Sequence, residues 1–285
     1  MLAMTSDFRG QSRNSADIRG ALERIARAGF SHIHWCHEFG SSWEYSVYEM
    51  LQIKNWCREL GLLVKGVHAS AGEKTSDLKS YISQNEFNRL AGIDLIKNRI
   101  GMACILGTDA VVLHCNITRA LTEKNSECRE ALLQPVFKSF DELGPYCRTR
   151  GIKLCIENAY GTAEQYCPFY DRLFERYGAD YMGLCIDTGH AYHDCGEKCF
   201  EYAQRYNDRV FMIHADDNHG DSDAHLLPFE GGFDWEGFAP ILARSPYQFP
   251  VVMEPSCTEE GDDTAWLKKA FDAGSRFSAM VEKYR

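Results

Sequence analysis

Short apolar runs alternate with amphipathic stretches from one end of the chain to the other. LAMTSD at residues 2–7 reads as a weak first strand, and Ser15 caps a helix whose Ile18, Leu22 and Ile25 share one face before Gly29 stops it. SHIHWC is a second strand, followed by a helix with Met50, Ile53, Cys57 and Leu60 on one stripe and Gly61 at its end. LLVKGVH is the third strand, after which a long helical region through Phe87, Leu90 and Ile100 closes at Gly107. AVVLHC follows as the fourth. A helix with Val136, Phe137, Phe140 and Tyr146 ends at Gly151, and IKLCIE begins at once as the fifth. Helices over 166–177 and 199–206 flank MGLCID and precede VFMIHA; Asp234 opens another helix before PVVME, and residues 263–285 form the last. Glycines at 29, 61, 107, 151 and 178 each stand between a helix and the next strand, where a left-handed residue is favoured.

Eight strands, each followed by a helix, with crossovers of one hand, predict a single (β/α)8 TIM barrel filling residues 1–285 as one domain. An open doubly wound sheet is the competitor, but no glycine-rich nucleotide loop follows the first strand.

Six of the strands end in a residue that can bind metal: His68, His114, Glu157, Asp187, His214 and Glu254. Each closes an apolar run, where an unpaired charge is costly, so these groups are expected to meet a cation or one another. Spacings of 46, 43, 30, 27 and 40 residues match strand–helix units, and functional groups gather at the carboxyl ends of parallel strands. Glu157, Asp187, His214 and Glu254 offer three carboxylates and one imidazole, a set suited to Mn2+ or Zn2+ first and to Mg2+ or Co2+ next. His68 and His114 either join them or hydrogen-bond substrate. His190, three residues beyond Asp187, and the Asp223-x-His225 pair form a third set, read either as ligands of one ion or as a solvated loop.

Composition narrows the field. Hydrophobic content of 45% and charged content of 25% are ordinary for a globular protein with a large core. No N-terminal export pattern or membrane-length apolar run is present, so a cytoplasmic protein is expected. The net charge of −10 argues against a nucleic-acid partner, and homo-oligomerisation is left open. The twelve cysteines read as buried small hydrophobes; Cys155 and Cys185, two residues before Glu157 and Asp187, should line the barrel interior one layer below the ligands. Cys195 and Cys199 lack the second pair that a zinc knuckle needs. Trp35, Trp43, Tyr160, Tyr192 and Trp235 either wall the pocket or pack beneath helices, and His34 and Glu38 lie where they can face it.

The strings CIENAYG, CIDTGHAY, HADDN, DAHLLPFEGGFDW and VVMEPS resemble the xylose isomerase-like barrel superfamily, which contains sugar phosphate isomerases and epimerases, inosose-processing enzymes and endonuclease IV. The likeness spans essentially the whole chain and is most specific in its second half. By resemblance to ketose epimerases, Glu157, Asp187, His214 and Glu254 hold one metal, both glutamates move protons, and His190 contacts a substrate oxygen. By resemblance to endonuclease IV, His68, His114 and Glu157 hold zinc on one side and His190, Asp223 and His225 on the other. The chain departs from both. Asn218, His219 and Gly220 stand where ketose epimerases carry a sugar-clamping arginine, and ENAYGTAE and DTGHAYHD do not reproduce the glycine-rich nuclease signatures.

The expected function is therefore a metal-dependent isomerase or epimerase of a sugar, sugar phosphate or cyclitol, working by proton transfer through a metal-stabilised enediolate with Glu157 and Glu254 as the proton-moving groups. Loss of a hydroxyl from the same intermediate would give dehydration. The alternatives are an endonuclease IV-like zinc hydrolase of abasic DNA and a non-catalytic sugar- or metal-binding barrel.

Overall fold

The computed structural model describes residues 1–10, 17–38, 40–69, 78–159, 161–258 and 263–285. Its strands are β1 (Leu2–Thr5), β2 (His32–Trp35), β3 (Leu63–His68), β4 (Ala110–Leu113), β5 (Lys153–Glu157), β6 (Met182–Asp187), β7 (Val210–Ala215) and β8 (Val251–Met253). Its helices are α1 (Ile18–Arg27), α2 (Val47–Glu59), α3 (Glu86–Leu106), α4 (Thr118–Thr122), α5 (Ser126–Arg148), α6 (Ala163–Arg176), α7 (Thr188–Cys195), α8 (Glu201–Arg205), α9 (Trp235–Ala243) and α10 (Thr264–Glu282). The strands close in chain order into one parallel barrel, β8 returning to β1, so the predicted (β/α)8 barrel is the observed fold.

Register decides where the strand ends stand. At four junctions, β2/β3, β3/β4, β5/β6 and β7/β8, the inward-facing residues step by two: His34 pairs with Gly66, His68 with Val112, Glu157 with Cys185, and His214 with Val252. A shear of eight results, which tilts the strands enough for an eight-stranded barrel to close. Side chains then alternate with period two. Ala3, Ala110, Val112, Cys155, Cys185, Met212 and Val252 form a plug inside the barrel, and the ligand-type residues stand one layer above it. Cys155 and Cys185 lie where the two-residue offset places them.

The larger core lies between strands and helices. Asp234 caps α9 as expected, its carboxylate accepting from the Gly237 N–H. The N-cap of α1 is Asp17, which accepts from the Gly20 N–H, while Ser15 lies outside the described residues. Gly107 ends α3 in the left-handed conformation at φ 83°, but Gly178 does not adopt it, because Tyr177 has already turned the chain extended after α6. Phe87 and Leu90 also differ from expectation, being 83% and 40% exposed. Arg89 takes the inward place at the start of α3, its guanidinium held by Glu86, Ser139 and Glu142, so the apolar stripe begins only at Ile93.

All twelve cysteines are free thiols; nine are buried, Cys195 is half-buried, and Cys104 and Cys128 lie exposed on helix surfaces, contrary to the uniform burial expected of them. Among the described residues no helix is long and apolar enough to cross a membrane.

Candidate metal and substrate site

Hydrogen bonds that tie neighbouring strand ends together position the site. Beyond β5, the Asn158 side chain donates to the Asp187 carbonyl at 3.0 Å and accepts from the Asp187 N–H at 2.8 Å, continuing the ladder where the backbone diverges. Beyond β6, Thr188 Oγ1 donates to the Asp216 carbonyl at 2.6 Å and accepts from the Asp216 N–H at 3.1 Å. Glu157, Asp187 and His214 are thereby carried on three strand ends held in fixed relation.

Asp187 uses its two oxygens differently. Oδ1 caps α7 by accepting from the His190 N–H at 2.6 Å, which places His190 one helical turn on, over the same mouth. Oδ2 is buried without a hydrogen-bond partner. Glu157 Oε2, His214 Nδ1 and Glu254 Oε2 are in the same condition, and one donor atom from each of these four residues falls within 4.8 Å of the others. His214 Nδ1 lies 2.5 Å from Glu254 Oε2, 3.3 Å from Glu157 Oε2 and 4.0 Å from Asp187 Oδ2; these are close contacts that lack hydrogen-bond alignment. Four buried, convergent, unsatisfied donors, three of them carboxylate oxygens, fit a divalent cation.

His68 and His114 come to the same carboxylate, each placing Nε2 3.3 Å from Glu157 Oε2. On the other side, His190 Nδ1 lies 3.2 Å from Glu157 Oε1, while its Nε2 and that of His225 each lie 3.3 Å from Asp223 Oδ2. All nine residues singled out in the sequence meet at one mouth, with Glu157 between the two histidine groups.

Electrostatics follow from this crowding. Burial opposes ionisation of Glu157, but His114 and His214 beside it hold its carboxyl well below the usual range. Glu254, likewise buried, is lowered by His214. Asp187 is raised by burial and then by the charge of Asp216. His214 is raised despite burial, because Cys185, Glu254 and Glu157 favour its cation. In the metal-free chain a proton on His214 supplies part of the positive charge that the carboxylates demand.

Other expectations resolve differently. His34 does not face an open pocket: it is fully buried on β2, its ring 4.9 Å from that of His214, over Gly66, where an added Cβ would come within 2.8 Å of its Nδ1. Burial, with His214 and His68 nearby, holds His34 neutral. Glu38 turns to Ser41. Trp35 and Trp235 are core residues, bonded to Tyr45 and Asp217 respectively, Trp43 is 52% exposed, and Tyr192 packs beside Gly220 and Gly232. Tyr160 lies outside the described residues.

Two acidic residues were missed in the sequence. Asp7, just past β1, is pushed up to about 7 by burial and by the charge of Glu254. Asp216, in HADDN, sits 2.8 Å from His225. The strand-end rule applied to LAMTSD would have found Asp7. A cavity of about 750 Å3 elsewhere, between α5 and α6, is lined by Glu130, Asp141, Arg172 and Arg176, whose charges close on one another in ion pairs.

Comparison with known proteins agrees with the fold. The family profile described as xylose isomerase-like TIM barrel matches residues 22–274. An uncharacterized protein, y4fM, of Sinorhizobium fredii is 33% identical over 284 residues, covering 94% of this chain and 91% of its own. An inosose dehydratase of Yersinia enterocolitica is 28% identical over 156 residues, covering 48% and 52%. The crystal structure of a D-tagatose 3-epimerase-like protein superposes with a TM-score of 0.76 over 99% of both chains at 20% identity, a likeness of fold.

Proposed function

Because the chain belongs to the xylose isomerase-like TIM barrel family, we propose that it is a metal-dependent isomerase or epimerase of a sugar or cyclitol. One observation carries the reading: four buried donor atoms, from Glu157, Asp187, His214 and Glu254, converge without hydrogen-bond partners. Those four residues would hold a divalent cation, whose positive charge would favour removal of a proton beside a carbonyl.

The chain's own residues would do the rest. Glu157 and Glu254 are both held ionised and so are ready to accept a proton from carbon. Their surroundings differ: the Glu254 side chain is 16% exposed and stands nearer the mouth, whereas Glu157 is 1% exposed and has His190 at 3.2 Å. In this reading one glutamate removes the proton beside the carbonyl and the other returns it, to the neighbouring carbon for isomerisation or to the opposite face for epimerisation. The inosose dehydratase relative supports a cyclitol, with loss of a hydroxyl after the same proton removal, as a member of this substrate range. In this reading His68, His114 and His190, which stand around Glu157, would hydrogen-bond substrate oxygens.

The decisive experiment restores Mn2+, Zn2+, Mg2+ or Co2+ to metal-stripped protein and offers ketoses, aldoses and inososes in D2O. Deuterium entering the carbon beside the carbonyl is the expected result. No exchange on any of them, with metal bound, would count against the reading.

A second reading, zinc-dependent phosphodiester hydrolysis, is favoured by the separate grouping of His190, Asp223 and His225. It predicts close to three tightly bound zinc ions per chain together with incision of abasic DNA.

A further inference from the structure

The carboxylate of Asp216 is fully buried, and the surrounding fold makes room for it. Oδ1 accepts from the Gly189 N–H at 3.1 Å. A Cβ on Gly189 would lie 2.7–2.9 Å from the carboxylate atoms, so the glycine at the start of α7 permits the approach. Oδ2 lies 2.8 Å from His225 Nδ1. The Glu254 carbonyl, at 3.2 Å, is the better-aligned acceptor for the same ring nitrogen, while the Asp216 carboxylate is the nearer. On the far side of the ring, His225 Nε2 faces Asp223 Oδ2 at 3.3 Å, which His190 Nε2 also approaches at 3.3 Å. His225 has a left-handed backbone at φ 45°, a conformation unfavourable for a residue with Cβ that the surroundings must hold in place.

We propose that Asp216 is the positioning residue of the outer group: it holds Nδ1 of His225, so that Nε2 is presented to Asp223 and His190 as a place for a second divalent cation. A carboxylate behind a histidine fixes the ring and raises its basicity as a ligand. The cation part of this inference rests on the metal-dependent reading above, whereas the ring orientation does not.

The test compares the full-length chain with Asp216→Asn, which keeps the shape, and Gly189→Ala, which displaces the same carboxylate from its other side. Metal-free protein is titrated with Co2+ and followed by visible absorption, and metal-free crystal structures are determined for all three. The expected result is two binding events in the parent, the outer one weakened about 10–100-fold in both variants with the inner one unchanged, and a His225 ring turned out of its place. If the parent takes a single Co2+, the outer cation is refuted and the ring position alone decides the role of Asp216. A ring that stays in place in both variants, or inner and outer affinities that fall together, overturns the proposal.

Discussion

Glu157 carries the most conflicting demands of any single side chain. Its Oε2 stands 3.3 Å from a nitrogen of each of His68, His114 and His214, and its Oε1 lies 3.2 Å from His190. Glu157→Gln keeps the volume but removes the charge all four rings face, so kcat is expected to fall by about 10²–10⁴ and bound metal to be lost with it. Glu254→Gln should lower kcat comparably while sparing the contacts of His68, His114 and His190. Steady-state rates with elemental analysis of both variants check this; full activity in either removes that residue from proton transfer. Asp7 gives a prediction about stability. Its folded value of about 7 stands above the ordinary 3.8, so ionising it disfavours the folded state. The penalty is absent below about pH 4, grows between pH 4 and 7, and is complete above pH 7. Asp7→Asn should therefore leave metal-free protein unchanged at pH 4 and raise its melting midpoint at pH 8. Asp7 as a whole residue is only half-buried, and the gain is taken as roughly 1 kcal/mol, or about 2–4 °C. An equal effect at both pH values would contradict the assignment.

At the scale of elements, the strand ends were legible and the segments after them were not. GVH, LCIE and LCID announce themselves because a period-two apolar run and its terminal ligand are local features. The helix α7 escaped notice because TGHAYHDC opens with threonine and glycine, and its start depends on the Asp187 cap. The segment between β7 and α9 depends still more on distant partners. Asp217 accepts from the N–H groups of Asn218, Phe229 and Phe233 and from the Trp235 indole at 2.9–3.1 Å, and it pairs with Leu226 through a backbone bridge. Gly231 permits this fold, since a Cβ there would lie 2.2 Å from the Asn218 carbonyl oxygen. Nothing within a helix-length window of sequence signals a carboxylate whose donors lie up to eighteen residues away. Asp217→Asn replaces an acceptor oxygen by a donor facing N–H groups, which should cost about 1–3 kcal/mol. Amide exchange should quicken over residues 218–233 and not in β5 or β6. Uniform quickening across the barrel would mean that Asp217 supports the whole fold and not this segment alone.

The whole molecule concentrates charge where the strands converge. Glu157, Asp187, Glu254 and Asp216 are assembled over an apolar plug of Ala3, Val112, Cys155, Cys185, Met212 and Val252, and the shear that closes the barrel sets their relative heights. The eight-stranded closure and the convergence of the ligand-type strand ends were both legible in the sequence, whereas the atom-to-atom distances were not, because they depend on register between strands 27 to 40 residues apart. On the proposed reading, this arrangement would couple folding to metal binding. Without a cation, the four donors of Glu157, Asp187, His214 and Glu254 are buried without hydrogen-bond partners, and the carboxylates around His214 favour its protonated form. A cation bound only by the folded chain should stabilise it by about 2.7 kcal/mol at a free concentration of about 100 Kd, which for a chain of this size is roughly 5 °C. Chelator treatment should remove that increment and Mn2+ or Zn2+ should restore it. Binding requires neutral His214 and ionised carboxylates, so the increment should grow as pH rises through the range in which His214 loses its proton. Asp187→Asn retains the cap on α7 through its remaining oxygen but withdraws one charged ligand, and it should abolish most of the metal-dependent shift while leaving the metal-free midpoint equal or higher. A midpoint indifferent to chelator, to added metal and to this substitution would mean that the four donors do not hold a cation, and the proposed chemistry would lose its basis.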